Sequence, residues 1–583
     1  MPMVAQRRAP HNARPRFRTP PWHDSHPAKL DLEQRLAPDH LARVLAQAVA
    51  RLDLDALCAA YHGRGSQAHP PQHLLSVVLY EMRRGHPNPA TWHRDAHECE
   101  PIRWLLRGAV VARSCWYAFR DRVAPLLSDL NQQVLAQALD AGLTPATRAA
   151  EDGTLVAANA SRHKVVNQET LQRRAAQLHT ALTDDPQAAA LSPAVADAAA
   201  VGVAVAAATA LGCAPPLPSV AAAVANPSTP SAVAVACALA AALAAPVPSV
   251  AAAVAEPSTP TAAAATPAVP AWLASSVAGR QQQQQRLQRA QARMEELQGR
   301  NKKKWASKRK AAEAIVVSLS DPEAVVARDK EKVYRPLYNV QIVDDLDSPL
   351  ILAYEVFAQQ NDTGVVATML AQVHRNVGHR LQVLLTDGAY AGGADLAAAD
   401  KEGVTVYAPV PGDGVKNPKQ IPKRDFRWDA ATQTYVCPQG QRLEFEESWQ
   451  EKRVDGSVQV WRYRCPPTHC QSCPLQARCT KTPASGRAVT RHEHEELIEA
   501  LRSRMANPAS QALYRLRKQT VELVNADVKQ HRKLRRFSGR GLARARGEVG
   551  LIVLVHNLLT LVQEPKAKAR PAEAAANAEP SST

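Results

Sequence analysis

The chain has 583 residues, room for two or more domains, and carries a net charge of +17 from 71 Lys and Arg against 54 Asp and Glu. The excess is clustered: residues 280–310 hold eleven basic residues against two Glu, and residues 529–546 hold eight with no acidic residue. Such density attracts phosphate chains and exceeds what solubility requires. The N-terminus, with Arg7, Arg8, Arg14, Arg16 and Arg18 among prolines, lacks the apolar core of an export signal. An alanine-rich stretch of membrane length near residues 198–217 is broken by Pro215 and Pro216, so the expectation is a cytoplasmic chain with no membrane span and reduced cysteines.

In chain order, residues 1–29 read as a basic disordered tail. Residues 30–142 place apolar side chains at helical spacing, punctuated by Pro70, Pro71 and Pro87, and predict a helical N-terminal domain for DNA binding or oligomerisation. Segments 102–106 and 114–122 fit a helix-turn-helix-like unit with Ser114 as cap, and fit a simple bundle equally well. Residues 143–186 open an α/β domain whose first strand ends at Asp152. Residues 187–279 collapse to Ala, Val, Pro, Ser and Thr with Asp197 and Glu256 the only charges, and the thirteen residues from Pro218 recur from Pro248 with one change. This predicts a disordered low-complexity insert with neither core nor cation.

A basic helix over 280–310 leads into residues 311–429, where strand signals at 338–343, 350–357, 381–386 and 404–410 alternate with helices at 363–377 and 394–401. The pattern predicts an α/β fold with helices flanking a mixed sheet. Asp387 follows the strand at 381–386. Residues 430–489 form a Cys-rich insertion in which Cys470 and Cys473, with two of Cys437, Cys465 and Cys479, give enough soft ligands for a tetrahedral zinc knuckle, unliganded cytosolic cysteines being the alternative. Residues 490–563 close the domain with helices over 496–535 and 541–563, and 564–583 read as a disordered tail.

On a continuous helix, Arg515, Lys518, Lys529, Lys533 and Arg536 lie within about 40° of Glu522, while Leu513, Leu516, Thr520, Val521, Leu523, Val524, Val528 and Leu534 take the opposite half. A lone carboxylate in a cationic stripe suits a metal ligand facing a polyanion. Asp152, Asp387 and Glu522 together offer hard oxygens to two Mg²⁺ or Mn²⁺ ions. No Gly-rich phosphate loop occurs, so nucleotide hydrolysis is not supported.

These motifs resemble the DDE transposases of bacterial insertion sequences. Asp152-Gly-Thr with Ala158-Asn-Ala-Ser is similar to that family's first catalytic strand, and Asp387-Gly-Ala-Tyr390 to its second. Tyr514, Arg517, Glu522 and Lys529 fit its Tyr-Arg-Glu-Lys signature, with Phe537, Arg540-Gly541-Leu542 and His556-Asn557-Leu558 following. The resemblance implies an RNase H-like catalytic domain in which Asp152, Asp387 and Glu522 hold Mg²⁺. It implies that Tyr514, Arg517 and Lys529, beside the basic Lys518, Lys533 and Arg536, bind DNA. It also implies a homodimer on double-stranded DNA ends and target, in the nucleoid. A decayed or repurposed DNA-binding protein without catalysis is the alternative.

Overall fold

The structure, a computed structural model, describes residues 15–61, 66–183, 270–304, 306–410, 421–453 and 456–576. The predicted insert lies outside them up to residue 269. The first helices are α1 (Pro27–Arg35), α2 (Leu41–Val49), α3 (Asp55–Ala59), α4 (Pro71–Arg83), α5 (Pro89–Glu98), α6 (Glu100–Leu105), α7 (Arg113–Val123) and α8 (Leu127–Asp140). Two begin on a cap followed by proline: the side chains of His26 and Asn88 accept from the N–H groups of Ala28 and Ala90. Ser114 is not a cap, because α7 starts at Arg113 with Ala112 in the cap position and no side-chain bond. Part of the expected N-terminal tail is ordered. Phe17 bridges Ala68, the Arg18 N–H donates to the Ala68 carbonyl, and Trp22 is buried.

Strand β1 (Arg148–Ala157) lies at the centre of a mixed sheet, while β2 (Val165–Val166) and β3 (Val317–Ser318) pair separately. The remaining strands of the large sheet are β4 (Val325–Arg328), β5 (Tyr334–Asp345), β6 (Ile351–Phe357), β7 (Val383–Leu385) and β8 (Thr405–Tyr407). β1 runs antiparallel to β5 and parallel to β7, and β7 is parallel to β8. Along its other edge β5 takes β4 and then β6, both antiparallel. From Pro336 onward β5 is buried throughout, as a strand covered on both faces must be. This mixed α/β order is consistent with the RNase H-like expectation. Asp152 corrects one detail. It sits in mid-strand opposite Ile342, because pairing continues through Ala157.

Helix α9 (Gln168–Thr183) and the first half of α10 (Val277–Lys302) form a separate unit over residues 169–291. There Arg280 Nη1 donates to the Ala181 carbonyl, and Arg174 lies 5.5 Å from the Trp272 ring centroid.

Helices α11 (Val366–Val377) and α12 (Gly393–Lys401) appear where expected; α11 stops at Gly378, whose φ of 81° is the left-handed cap a glycine adopts without strain. The expected helix over 496–535 is broken into α13 (Glu495–Met505), α14 (Pro508–Arg515) and α15 (Val521–Gln530). Asn507 caps α14 by accepting from the Ala509 N–H with Pro508 in the first turn. A 3₁₀ turn at Leu516–Gln519 and the non-helical Thr520 separate α14 from α15. The single cationic face therefore does not exist as one helix surface: Leu523, expected inside, is 60% exposed, while Val521, Val528 and Leu534 are buried.

The last helix, α16 (Leu542–Ala576), continues past Gln563 into the expected tail. Its stretch Leu542–Gln563 has the length and apolarity of a membrane span, yet 83% of that window is buried inside the protein, as in a core helix. One core joins Val134 of α8, Leu352 of β6 and Val553 of α16, so the N-terminal helices and the sheet are packed together. The Cys-rich region is an antiparallel sheet of β9 (Arg427–Asp429), β10 (Thr434–Val436), β11 (Arg442–Arg453), β12 (Gly456–Arg464) and β13 (Ala488–His492) in sequential order, with a small core of its own.

Candidate active site

Asp152 leaves β1 on the face that α15 crosses. There a single guanidinium spans two of the expected carboxylates: Arg517 Nη2 lies 2.7 Å from Asp152 Oδ1, and Nη1 lies 2.9 Å from Glu522 Oε1. Asn525, one turn beyond Glu522, donates its Nδ2 to Asp152 Oδ2 at 2.9 Å. Arg517 is nearly buried at 9% side-chain exposure, Asp152 retains 20%, and Glu522 retains 43% at the mouth. The break at Thr520 makes this possible, since it turns Arg517 and the first turn of α15 toward the same strand.

Asp387 follows β7, the parallel neighbour of β1, and its Oδ1 accepts from the Ala389 N–H at 2.7 Å. This short turn explains the Asp-Gly-Ala spacing and lets Tyr390 reach inward, where its hydroxyl donates to Gln341 Oε1. Burial lifts the Asp152 carboxyl above the usual carboxylate range, the Arg517 charge and the Asn525 hydrogen bond pull it back, and the Asp387 charge raises it again. Burial lowers the Lys529 ammonium, aided by Lys330, while Asp152 opposes the shift. Tyr514 lies within the electrostatic reach of Arg517, Asp387 and Glu522. Four of the expected residues thus gather around Asp152: Asp387, Glu522, Arg517 and Lys529. Lys518 and Lys533 are exposed, and Arg536 donates Nη2 to the Ala160 carbonyl beyond the end of β1.

Sequence patterns leave several neighbours unnoticed. On the opposite face of β1, Asp362 Oδ1 accepts from Asn339 Nδ2 and Gln341 Nε2, both at 2.7 Å. A Cβ at Gly153 would lie 2.2 Å from that same oxygen, so only glycine fits beside Asp152. Glu151 is fully buried with both carboxyl oxygens unpartnered, and burial, then the charges of Asp395, Asp362, Asp152 and Asp387, push it far above the carboxylate range. The tight Asp-Gly pair was the one local sign of crowding; the Asn525 contact had none.

Beside Asp362 opens a cleft of about 660 Å³. It is lined by Arg293, Arg300, Lys304 and Lys310 together with Asn361, Thr363 and His494. Arg293 and Arg300 pair with Glu296, whereas Lys304 and Lys310 have no carboxylate partner among the described residues. A second ionisable cluster, Glu81, His86 and Asp95, brings ligand atoms within 4.8 Å of one another in the helical region. Arg84 and Arg94 already pair with its carboxylates at 2.7 and 2.8 Å, which makes it an ion-pair network tying α4 to α5.

No curated protein and no solved structure matches the chain. A family model described as "Transposase DDE domain" matches residues 436–562, a span that holds Tyr514, Arg517, Glu522 and Lys529 together with the five-cysteine region, and leaves Asp152 and Asp387 upstream. DDE-type transposase domains use divalent metals and act on DNA. Residues 436–562 are therefore similar to the DDE domain of transposases.

Proposed function

We propose that the protein is the transposase of an insertion sequence, which cuts DNA at the element ends and transfers the freed 3′-hydroxyl to target DNA. The observation that carries this reading is the convergence of Asp152 and Glu522, 370 positions apart in sequence, on one guanidinium beside Asp387. The donor set fits the expected metal. Asp152, Asp387 and Glu522 are hard oxygen ligands, and Asp344, diagonal to Asp152 across β1 and β5, adds a buried carboxyl without a partner. When bound there, two Mg²⁺ or Mn²⁺ ions activate the attacking oxygen and stabilise the leaving oxygen.

The chain's own residues do the positioning. Asn525 orients Asp152, the Ala389 N–H fixes Asp387, and the exposed Glu522 completes the set from a helix that also presents cations. Arg517 holds the two carboxylates together in the DNA-free protein and exchanges them for a phosphate oxygen when an element end docks. Lys529 stands close enough to Asp152 to bind the adjoining phosphate, Tyr514 covers the mouth, and Lys518, Lys533 and Arg536 extend the contact along the duplex. The basic cleft beside Asp362 takes a further length of strand. A homodimer on paired ends, in the cytoplasm at the nucleoid, fits this activity.

Glu522→Gln tests the reading. Cleavage of element ends in Mg²⁺ should fall by orders of magnitude, while DNA affinity stays equal or tightens as repulsion from phosphate is removed. If the variant instead loses stability with no specific loss of Mg²⁺-dependent cleavage, Glu522 is a structural partner of Arg517 and the protein binds DNA without cutting it.

A further inference from the structure

The sheet of β9 to β13 is built around very little apolar surface. Its core is a handful of aromatic side chains, among them Tyr435 and Tyr463, with four of the five regional cysteines in or against it. Two of its strands, β11 and β12, run 12 and 9 residues, and a core this small rarely holds such a hairpin without a covalent or metal staple. We propose that Cys437, Cys470, Cys473 and Cys479 bind one zinc ion that staples this sheet, and that Cys465 lies outside the ligand set.

The placement of the four supports the choice. Cys437 sits on a tight turn in which the Gly440 N–H donates to its carbonyl at 2.8 Å and Gly440 takes a φ of 78°. Cys470 and Cys473 share one turn, and Cys479 ends the helical turn Gln476–Cys479. The Cys479 sulfur has Cys470, Cys473 and Cys437 as electrostatic neighbours, although Cys437 is far from the others in sequence. Residues on turns can rotate toward an ion. Cys465 cannot do so freely, since it directly follows β12, is 2% exposed, and its N–H is held by the Arg487 carbonyl at 2.9 Å. Its thiol hydrogen-bonds Cys470 and has Cys437 and Cys479 as further electrostatic neighbours, so its exclusion rests on its buried, fixed position.

Four thiolates around Zn²⁺ leave a net charge of about −2, which needs donors nearby. Arg487 provides them: its N–H donates to Cys470 Sγ at 3.3 Å, and its guanidinium donates to the Cys479 carbonyl at 2.9 Å. Among the described residues no three of these sulfurs lie mutually within 4.8 Å, so binding draws the turns inward. The site is independent of the carboxylate cluster.

Full-length protein purified with reduced thiols should contain one zinc per chain, and the cobalt-exchanged protein should show the intense visible bands and thiolate charge transfer of four sulfurs in a tetrahedron. Cys473→Ser should lower zinc content several-fold, while Cys465→Ala should retain it. Wild-type protein with less than about half an equivalent of zinc overturns the proposal. So does a cobalt spectrum of fewer than four sulfurs, which needs no variant to fold, or a Cys465→Ala protein that loses zinc as fully as Cys473→Ser.

Discussion

Glu548 shows what a single buried carboxyl does in this fold. It lies on α16 with Oε2 accepting from the N–H and hydroxyl of Ser538, at 2.9 and 2.6 Å, and with Oε1 unpartnered. Burial outweighs these bonds and pushes its pKa up from 4.5 to about 7. A carboxyl raised in the folded state binds its proton more tightly than in the unfolded chain. Its effect on stability is therefore absent below about pH 4 and becomes an increasing penalty, reaching ~3 kcal/mol, as pH climbs to the folded value near 7. Glu548→Gln keeps an acceptor for Ser538 and removes the titration. Melting curves of the two proteins should show the variant gaining on wild type between pH 5 and pH 8; an unchanged gap would mean that this proton is not linked to folding.

At the scale of elements, β5 to β8 and α11 and α12 are legible in the sequence because each is a short apolar run or a clear helical period, whereas the polar β1 and the short β4 are not. The three-way break over 495–530 is harder to read. Apolar period continues across it and masks the Asn507-Pro508 pair, which is itself a helix-start signal. The β9 to β13 sheet is not legible either, because β11 reads Arg-Leu-Glu-Phe-Glu-Glu-Ser-Trp-Gln-Glu-Lys-Arg, and an exposed hairpin needs little apolar alternation. Asp152, Asp387 and Glu522 stand out by motif, whereas Asp362, Asn525 and Glu151 acquire their roles only from contacts between distant strands and loops. The cleft wall at the end of α10 belongs to this scale. Asn301 fixes it, accepting from the Lys310 N–H and donating to its carbonyl, both at 2.9 Å. Removing both Lys304 and Lys310 by alanine should weaken binding evenly across DNA sequences and reduce the slope of log affinity against log salt by ~0.7 to 0.9 per lysine. An unchanged slope would remove the cleft from the DNA path.

Across the whole molecule, α16 is the element that makes one body of the N-terminal helices and the sheet. Asn557, fully buried at its middle, donates Nδ2 to Asn131 Oδ1 of α8 and to the Ile351 carbonyl of β6, and accepts from the Ile351 N–H. Asn557→Leu leaves a buried backbone pair and a buried amide without partners, a loss of ~2–4 kcal/mol. Unfolding of the helices, followed by hydrogen exchange at α4, α5 and α7, should shift together with unfolding of the sheet, followed at β5 and β6. Two separated transitions in the wild type would show that the shared core does not couple them.

The Arg517 bridge makes the resting protein its own counterion. If, as proposed, the same guanidinium serves either the two carboxylates or a phosphate of the docked end, whatever draws it to DNA uncovers Asp152 and Glu522 together. Reciprocity then requires that DNA tighten divalent-ion binding by the factor by which the ion tightens DNA binding. On that proposed reading, a chain away from its ends keeps Asp152 and Glu522 tied to a tethered positive charge that a docked phosphate would displace.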